Sequence, residues 1–339
     1  MSKQIVHVFN FSSDPTFRAL SRLTTEIVTV SRLKYCPDFL SMKSLYPMVS
    51  APTKFQTSFE AIALFRADSL WKSASRDGNV NILWSGGIDS TVALVALIRK
   101  RPQAATITVF CNTNSIHENP AFYYHLLKLP FIHLKTSSVI SSLPDKNFIT
   151  GDLGDQIFGS ELIFKVNEYL GFEALHAPFE ENILKLFQKH CGLTYGTYAY
   201  ERFLPIVSEC PFAVKTTFDF LWWWNFSQKW QCVKLRKNCF VGAQHSLNHF
   251  FDSEEMQLWS MFNHERKLGN TITSYKQAGK DFIFNYDKND SYRVKKTKVS
   301  SMLGSKLHFV GLYEDGSQIV SIPDCIQQIN SRRLVPIEI

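Results

Sequence analysis

The segment from Ile82 to Lys100, ILWSGGIDSTVALVALIRK, constrains the fold more than any other part of the chain. An apolar run typical of a strand leads into two adjacent glycines, an acid, two hydroxyl residues and a long helical pattern. Glycines let backbone N–H groups turn toward an anion, and the N-terminus of the following helix adds partial positive charge. The segment therefore predicts a phosphate-binding loop between a strand and a buried helix.

The loop also supplies hydroxyl donors and one acid. Ser85, Ser90 and Thr91 can donate to phosphate oxygens, whereas Asp89 would repel them unless a cation lies between. A Mg²⁺ ion held between Asp89 and the phosphates would remove that repulsion. The loop has neither the lysine and spacing of G-x-x-x-x-G-K-[ST] nor the pattern G-x-G-x-x-G, so these two nucleotide-binding loops are excluded.

Strand and helix patterns alternate around this loop, which is typical of an α/β protein with a doubly wound parallel sheet. Strands are predicted at VNILW, ATITVFCNT, PFIHLKTS and KNFITGD, and helices at STVALVALIRK and NPAFYYHLLKL. Residues 161–300 have mainly helical patterns, and the tryptophans of FDFLWWWNFSQKW are expected to pack in a core. We expect an N-terminal accessory domain over residues 1–77 and a second domain over residues 78–339, with a helical C-terminal region.

The two ends of the chain have strand patterns as well. QIVHVFNF near the start predicts a strand, and DPTFRALSRLTTEIV after it predicts a helix. Near the C-terminus, Asp315-Gly316 lies between two alternating runs and predicts a hairpin.

Composition restricts the location and partners of the chain. Its 339 residues carry a formal charge of +7, which suits phosphate-bearing ligands and leaves nucleic acid possible without favouring it. The seven cysteines show no C-x-x-C spacing, which gives a zinc site little support and fits reduced thiols in the cytoplasm. The start lacks a long apolar core, and FDFLWWWNF is too short to cross a bilayer, so we expect a cytoplasmic protein without membrane contact.

The loop pattern S-G-G-x-D-[ST]-[ST] resembles the PP-loop of the ATP pyrophosphatase (adenine nucleotide alpha-hydrolase-like) superfamily. Members bind ATP and attack its α-phosphorus, usually giving an adenylated substrate and pyrophosphate. The resemblance implies a PP-loop (HUP-like) fold with ATP and Mg²⁺ as cofactors. The residues that it assigns to the pyrophosphate portion of ATP are Ser85, Gly86, Gly87, Asp89, Ser90 and Thr91.

A second segment, FITGDLGDQIFGS from Phe148 to Ser160, resembles the asparagine synthetase motif S-G-E-G-x-D-E-L-F-G-G. Gly151 aligns with its first glycine, Asp152 with its glutamate and Asp155 with its aspartate. The resemblance implies that Asp89 and Asp155 hold Mg²⁺ and that Asp152 positions or deprotonates an incoming amine. The segment departs from the motif where Leu153 replaces a glycine, Gln156 an acid and Ser160 the last glycine.

Weaker likenesses to the same family lie elsewhere. HFFDSEEMQLWSMFN resembles its P-F-L-D stretch, with His249 in place of proline and Leu247 in place of the preceding arginine. The family also has a lysine that steadies charge on the adenylate and pyrophosphate, and Lys276 and Lys280 lie at about the right distance along the chain. Cys111, at the end of the second strand, is a candidate for the wall of the adenine pocket.

Taken together, the resemblance implies an amide-forming ligase that adenylates a carboxylate and transfers it to ammonia or an amine. No glutaminase chemistry is visible, since residue two is Ser2, so a separate glutaminase could supply the nitrogen. Two alternatives remain open. One is a nucleobase- or tRNA-modifying PP-loop enzyme of the 7-cyano-7-deazaguanine synthase or thiolase type. The other is an ATP-binding module without turnover.

Overall fold

The computed structural model describes residues 31–34, 46–74, 78–136, 147–234 and 246–297, and the backbone of four further strands. The strands are β1 (Ile5–Asn10), β2 (Asn79–Leu83), β3 (Thr106–Cys111), β4 (Ile132–Thr136), β5 (Asn147–Thr150), β6 (Ser246–His249), β7 (Phe309–Tyr313), β8 (Gln318–Ile319) and β9 (Ile337–Glu338). The helices are α1 (Phe59–Lys72), α2 (Ile88–Arg99), α3 (Thr113–Glu118), α4 (Pro120–Leu126), α5 (Gly154–Phe158), α6 (Ile163–Leu170), α7 (Phe179–Cys191), α8 (Leu193–Phe203), α9 (Thr217–Gln228), α10 (Glu254–Phe262), α11 (Gln277–Asp287) and α12 (Asp290–Lys295).

The chain forms two compact units, and each is built from separate stretches of sequence. The first unit comprises Met1–Met48, Gly159–Phe240 and Ser301–Ile339, and the second comprises Val49–Phe158 and Val241–Ser300. Helix α1 precedes residue 78 but belongs to the second unit. The sequence instead predicts a single domain boundary after residue 77, and that boundary stays a prediction.

The second unit contains a five-stranded, all-parallel sheet with the order β4-β3-β2-β5-β6. The α/β class is confirmed, and four of these strands lie where the sequence predicts them. The chain moves outward from β2 through β3 to β4 and then returns to add β5 on the other side of β2. The direction of strand addition therefore reverses between β2 and β5, which places the loops after these two strands side by side.

Helix α2 is buried because its sequence is apolar on every face. All six residues from Val92 to Leu97 have no exposed surface, and the helix packs against α1 and α11. An aromatic cluster continues this core: the ring centroids of Phe59 and Trp259 lie 5.0 Å apart, and those of Phe158 and Trp259 lie 5.7 Å apart. These contacts join α1, α5 and α10 into one apolar layer.

The first unit buries the three adjacent tryptophans of α9, as the sequence analysis predicts. Trp223 and Trp224 are fully buried, and Trp222 is 3% exposed. The indole N–H of Trp223 donates to the Ile206 carbonyl oxygen at 2.7 Å, so its polar atom is satisfied within the core. A Thr216–Asp219 capping box begins the helix.

The first unit also contains a sheet with the order β8-β7-β1-β9. Strand β1 confirms the strand predicted near the start, and the antiparallel pair β7 and β8 confirms the strands of the predicted hairpin. The Asp315-Gly316 turn and the helix predicted at DPTFRALSRLTTEIV lie outside the described residues. No helix among the described residues has the length and apolar character needed to cross a membrane.

Replacing Leu97 by alanine tests the buried helix. Leu97 is fully buried in α2, so Leu97→Ala leaves a cavity and should lower the free energy of unfolding by about 2–5 kcal/mol. The matched control is Leu127→Ala in the same unit, where the leucine is 56% exposed and the expected change is within about 0.5 kcal/mol. Urea unfolding of both variants measures the difference, and equal effects would contradict the burial of α2.

Candidate functional site

The glycine loop joins the end of β2 to the start of α2, as the sequence predicts. Gly86 has a φ of +79°, and a Cβ atom there would lie 2.2 Å from the carbonyl oxygen of Ser115 in α3. Gly87 is the N-cap residue of α2, and its N–H points toward the Ser85 hydroxyl at 3.3 Å. Gly86 is therefore required both by its conformation and by its close packing against α3.

The loop hydroxyls bind neighbouring loop atoms. The Ser90 Oγ accepts from the Ser85 backbone N–H at 3.1 Å and lies 3.0 Å from the Ser85 Oγ. Thr91 donates its hydroxyl to the Gly87 carbonyl oxygen at 2.8 Å and accepts from the Trp84 indole N–H at 3.0 Å. Thr91 thus braces the loop from the buried side, and the prediction that these hydroxyls donate to phosphate remains a prediction.

The second predicted segment lies directly against this loop because β2 and β5 are paired in parallel, with Leu83 opposite Thr150. A Cβ atom on Gly151 would lie 2.4 Å from the Ser90 backbone nitrogen. A Cβ atom on Gly154 would lie 2.3 Å from Cγ of Asp89. Both glycines therefore allow an approach between the two loops that any larger residue would prevent.

Lys276 contacts two aspartates, one in the first turn of α2 and one in the first turn of α5. Its ammonium group pairs with the Asp89 carboxylate and with Oδ1 of Asp155, the latter at 2.8 Å. Lys276 is 1% exposed and has a left-handed φ of +62°, and its backbone N–H donates to the Lys267 carbonyl oxygen at 2.8 Å. Of the residues proposed from sequence, Asp89, Asp155 and Lys276 therefore form one charged cluster.

Lys280 lies one helical turn after Lys276 and is also 1% exposed. Its ammonium group donates to the carbonyl oxygens of Thr273 and Lys296. Burial lowers the pKa of Lys280 to about 8, and the nearby charges of Lys276 and Lys296 contribute to this shift. Its contacts are with backbone oxygens, so a direct part in the chemistry stays a prediction.

One ion pair beside the glycine loop is not predicted from the sequence. Lys296 donates to the Glu118 carboxylate and to the Glu118 carbonyl oxygen, each at 3.1 Å. A Cβ atom on Gly87 would lie 3.5 Å from Oε1 of Glu118, which puts this carboxylate next to the loop. The run RVKKTK around Lys296 predicts a basic surface or a contact with phosphate. It does not indicate that Glu118 is the partner of Lys296.

Asp152 lies at the end of β5, where Thr150 and His249 contact it. The Asp152 backbone N–H donates to Thr150 Oγ1 at 3.2 Å, and Thr150 Oγ1 lies 2.8 Å from His249 Nδ1. The His249 ring is buried, and Nδ1 lies 3.8 Å from Oδ2 of Asp152. Arg66 of α1 donates to the carbonyl oxygens of His249 and Phe250 at 3.0 and 3.1 Å. Neither Arg66 nor Thr150 is predicted as a site residue from the sequence.

Leu153 has a left-handed conformation, with a φ of +74°, and its side chain is 1% exposed. A left-handed φ is unusual for a leucine and is the conformation that glycine adopts most readily. Leu153 occupies the position where the asparagine synthetase motif has glycine. Leu153 therefore adopts a conformation that a glycine at this position would accept without steric cost.

Cys111 ends β3 and is 5% exposed, and burial raises the pKa of its thiol. A part of Cys111 in an adenine pocket stays a prediction. The described residues contain no cluster of three or more His, Cys, Asp or Glu side chains suited to a metal. Any metal at this site would therefore depend on the pair Asp89 and Asp155 together with oxygen ligands from outside the chain.

Comparisons of the sequence with protein-family models and with curated proteins find no match. The likeness to the PP-loop superfamily consequently depends on the motifs and on the geometry described above.

Replacing Lys276 by methionine tests the charged cluster. Lys276→Met leaves two carboxylates close together without their cation, and we expect a loss of about 3–5 kcal/mol in the free energy of unfolding. The control is Lys100→Met, which breaks the exposed Lys100–Asp68 pair in the same unit and should have a much smaller effect. Chemical unfolding measures both variants, and equal losses would contradict a buried cluster.

The low pKa of Lys280 predicts how stability varies with pH. The unfolded chain binds this proton up to its ordinary pKa of 10.5 and the folded chain only to about 8, so stability should rise with pH between these values. The free energy of unfolding of the wild type minus that of Lys280→Met should increase from pH 8 to pH 10. In Lys295→Met, which removes an exposed lysine, the same difference should stay nearly constant.

Proposed function

We propose that the chain is a Mg²⁺- and ATP-dependent ligase that adenylates a carboxylate, releases pyrophosphate and then forms an amide with ammonia or an amine. The observation that carries this proposal is the charged cluster of Asp89, Asp155 and Lys276. It unites two motifs whose aspartates are 66 residues apart and that resemble the same family of adenylating enzymes.

The topology supports a ligand site at this place. In open α/β sheets ligands bind beyond the carboxyl ends of the strands, where the direction of strand addition reverses. Here that reversal lies between β2 and β5, the strands that carry the two motifs. The strand order and the glycine loop favour a doubly wound sheet of the PP-loop (HUP-like) type with the triphosphate of ATP above this edge.

The residues present suit magnesium. Mg²⁺ commonly takes one or two carboxylates together with phosphate oxygens and water, and Asp89 and Asp155 lie close enough to contact one lysine ammonium. When bound, the ion would neutralise charge on the triphosphate and polarise the phosphorus toward attack. Lys276 adds a fixed positive charge next to the same carboxylates, which would help to balance the charge of the leaving pyrophosphate.

The proposed reaction has two steps. A carboxylate oxygen of the substrate bonds to the α-phosphorus of ATP, the bond to the bridging oxygen breaks, and pyrophosphate leaves. The nitrogen nucleophile then bonds to the acyl carbon, AMP leaves with the electron pair of the broken C–O bond, and the nitrogen loses a proton. Asp152 accepts that proton, because it follows β5, next to the glycine loop that follows β2, and its side chain is 22% exposed. The nitrogen comes from free ammonia, an amine or a separate glutaminase.

The product of ATP cleavage tests the proposal. Incubation with α-labelled ATP, Mg²⁺, ammonium chloride and a panel of amino acids and nucleotides should give AMP and pyrophosphate that depend on one carboxylate. Asp89→Asn should reduce this turnover by at least about a hundredfold, since it removes one of the two carboxylates proposed to hold Mg²⁺. The matched control, Asp68→Asn on the exposed face of α1, should retain wild-type turnover.

Other products would overturn the proposal and identify the alternative. ADP formation would exclude attack at the α-phosphorus. Tight ATP binding without turnover on any probe would favour a nucleotide-binding module. AMP release that depends on tRNA or a nucleobase would favour a nucleic-acid-modifying enzyme, for which binding should weaken steeply with salt.

A further inference from the structure

His249 lies where β6 ends, next to the end of β5, and it replaces the proline of the motif that it resembles. Proline has no side-chain hydrogen-bonding group, whereas the buried imidazole of His249 lies between Thr150 and Asp152. A polar ring that is 1% exposed costs free energy unless it is hydrogen-bonded. Its position beside the proposed proton acceptor therefore requires a physical explanation of its own.

The Thr150 hydroxyl determines how the ring is held. A threonine hydroxyl has one proton to donate and two lone pairs that accept. One lone pair of Thr150 accepts from the Asp152 backbone N–H at 3.2 Å, which leaves its proton and its second lone pair for His249 Nδ1 at 2.8 Å. Whichever of the two groups is the donor, this contact couples the His249 ring to the hydroxyl that orders the backbone carrying the Asp152 carboxylate.

The backbone of His249 is fixed independently from the other side. The guanidinium group of Arg66 donates to the carbonyl oxygens of His249 and Phe250, and Arg66 belongs to the long helix α1. Strand pairing fixes His249 opposite Thr150 in the neighbouring strand. The ring is consequently held at a defined place relative to Asp152, which a flexible loop residue could not provide.

We propose that His249 is a positioning residue that acts through Thr150 to hold Asp152 for the step in which ammonia or a primary amine attacks. This inference rests on the proposed function. It separates the two steps of the reaction, because His249 contacts Thr150 and Asp152, and Asp152 is the proton acceptor of the second step. Loss of the His249–Thr150 contact should slow nitrogen transfer and leave adenylation nearly unchanged.

Two pairs of variants test this separation. His249→Leu removes the hydrogen-bonding partner of the Thr150 hydroxyl, whereas His249→Asn keeps a polar group near the position of Nδ1. Thr150→Val removes the bridging hydroxyl at nearly the same size, whereas Thr150→Ser keeps it. Adenylation is followed by ATP–pyrophosphate exchange with the carboxylate that supports AMP release in the wild type. Transfer is followed by incorporation of ¹⁵N-ammonium into the amide.

In His249→Leu and Thr150→Val, transfer should fall by about tenfold to a hundredfold, while exchange stays within about threefold of the wild type. His249→Asn and Thr150→Ser should recover much of the lost rate. An equal fall in both steps, or no fall in either, would overturn the positioning role while leaving the ligase proposal intact. If the wild type releases no AMP with any probe, the proposed function fails and this inference fails with it.

A spectroscopic measurement tests the hydrogen bond without relying on turnover. In protein labelled with ¹⁵N-histidine, the His249 signals are assigned by their loss in His249→Asn. The Nδ1 signal should move in Thr150→Val, which removes the hydroxyl next to it, and stay nearly unchanged in Thr150→Ser. An Nδ1 signal that does not move in Thr150→Val would overturn the proposed contact between His249 and Thr150.

Discussion

The contact of one buried ammonium group with two carboxylates is the constraint on which the rest of the second unit depends. Lys276 pairs with Asp89 and Asp155, which lie in the first turns of the helices that follow two neighbouring strands. Taking these charges out of water costs several kcal/mol per ion unless they remain paired. The pairing therefore requires the two loops to lie in contact, and the small residues Gly151 and Gly154 make that approach possible.

The glycines of both loops are explained by neighbouring protein atoms before any ligand is considered. A side chain on Gly86 would meet the Ser115 carbonyl oxygen, and one on Gly151 would meet the backbone of Ser90. The loop hydroxyls likewise hold the backbone in shape, as the contacts of Thr91 show. The glycine loop is thus preorganised by packing, which would lower the entropy cost of ordering it around a bound ligand.

The sequence predicts the features that depend on local pattern. Strands β2 to β5 and helix α2 follow from apolar periodicity, and the proximity of Asp89 to Asp155 follows from their positions after two parallel strands. Strand β6 was missed because SLNH is only four residues long and has a single strongly apolar residue. The contacts of Arg66 with the end of β6 and of Lys296 with Glu118 join residues more than 170 positions apart. No local pattern can reveal such partners, because they depend on the tertiary fold.

Leu153 shows that a backbone conformation can be kept when the residue that usually adopts it is replaced. Its φ of +74° is a conformation for which glycine has no steric penalty, yet a leucine adopts it and buries its side chain. The cost of that conformation, of order 1–3 kcal/mol, is comparable to the gain from burying a leucine side chain. Substitution of a motif glycine at such a position can therefore leave stability nearly unchanged, although it removes a residue by which a sequence motif is recognised. Distant relatives of this loop are better sought by backbone torsion angles than by an invariant glycine.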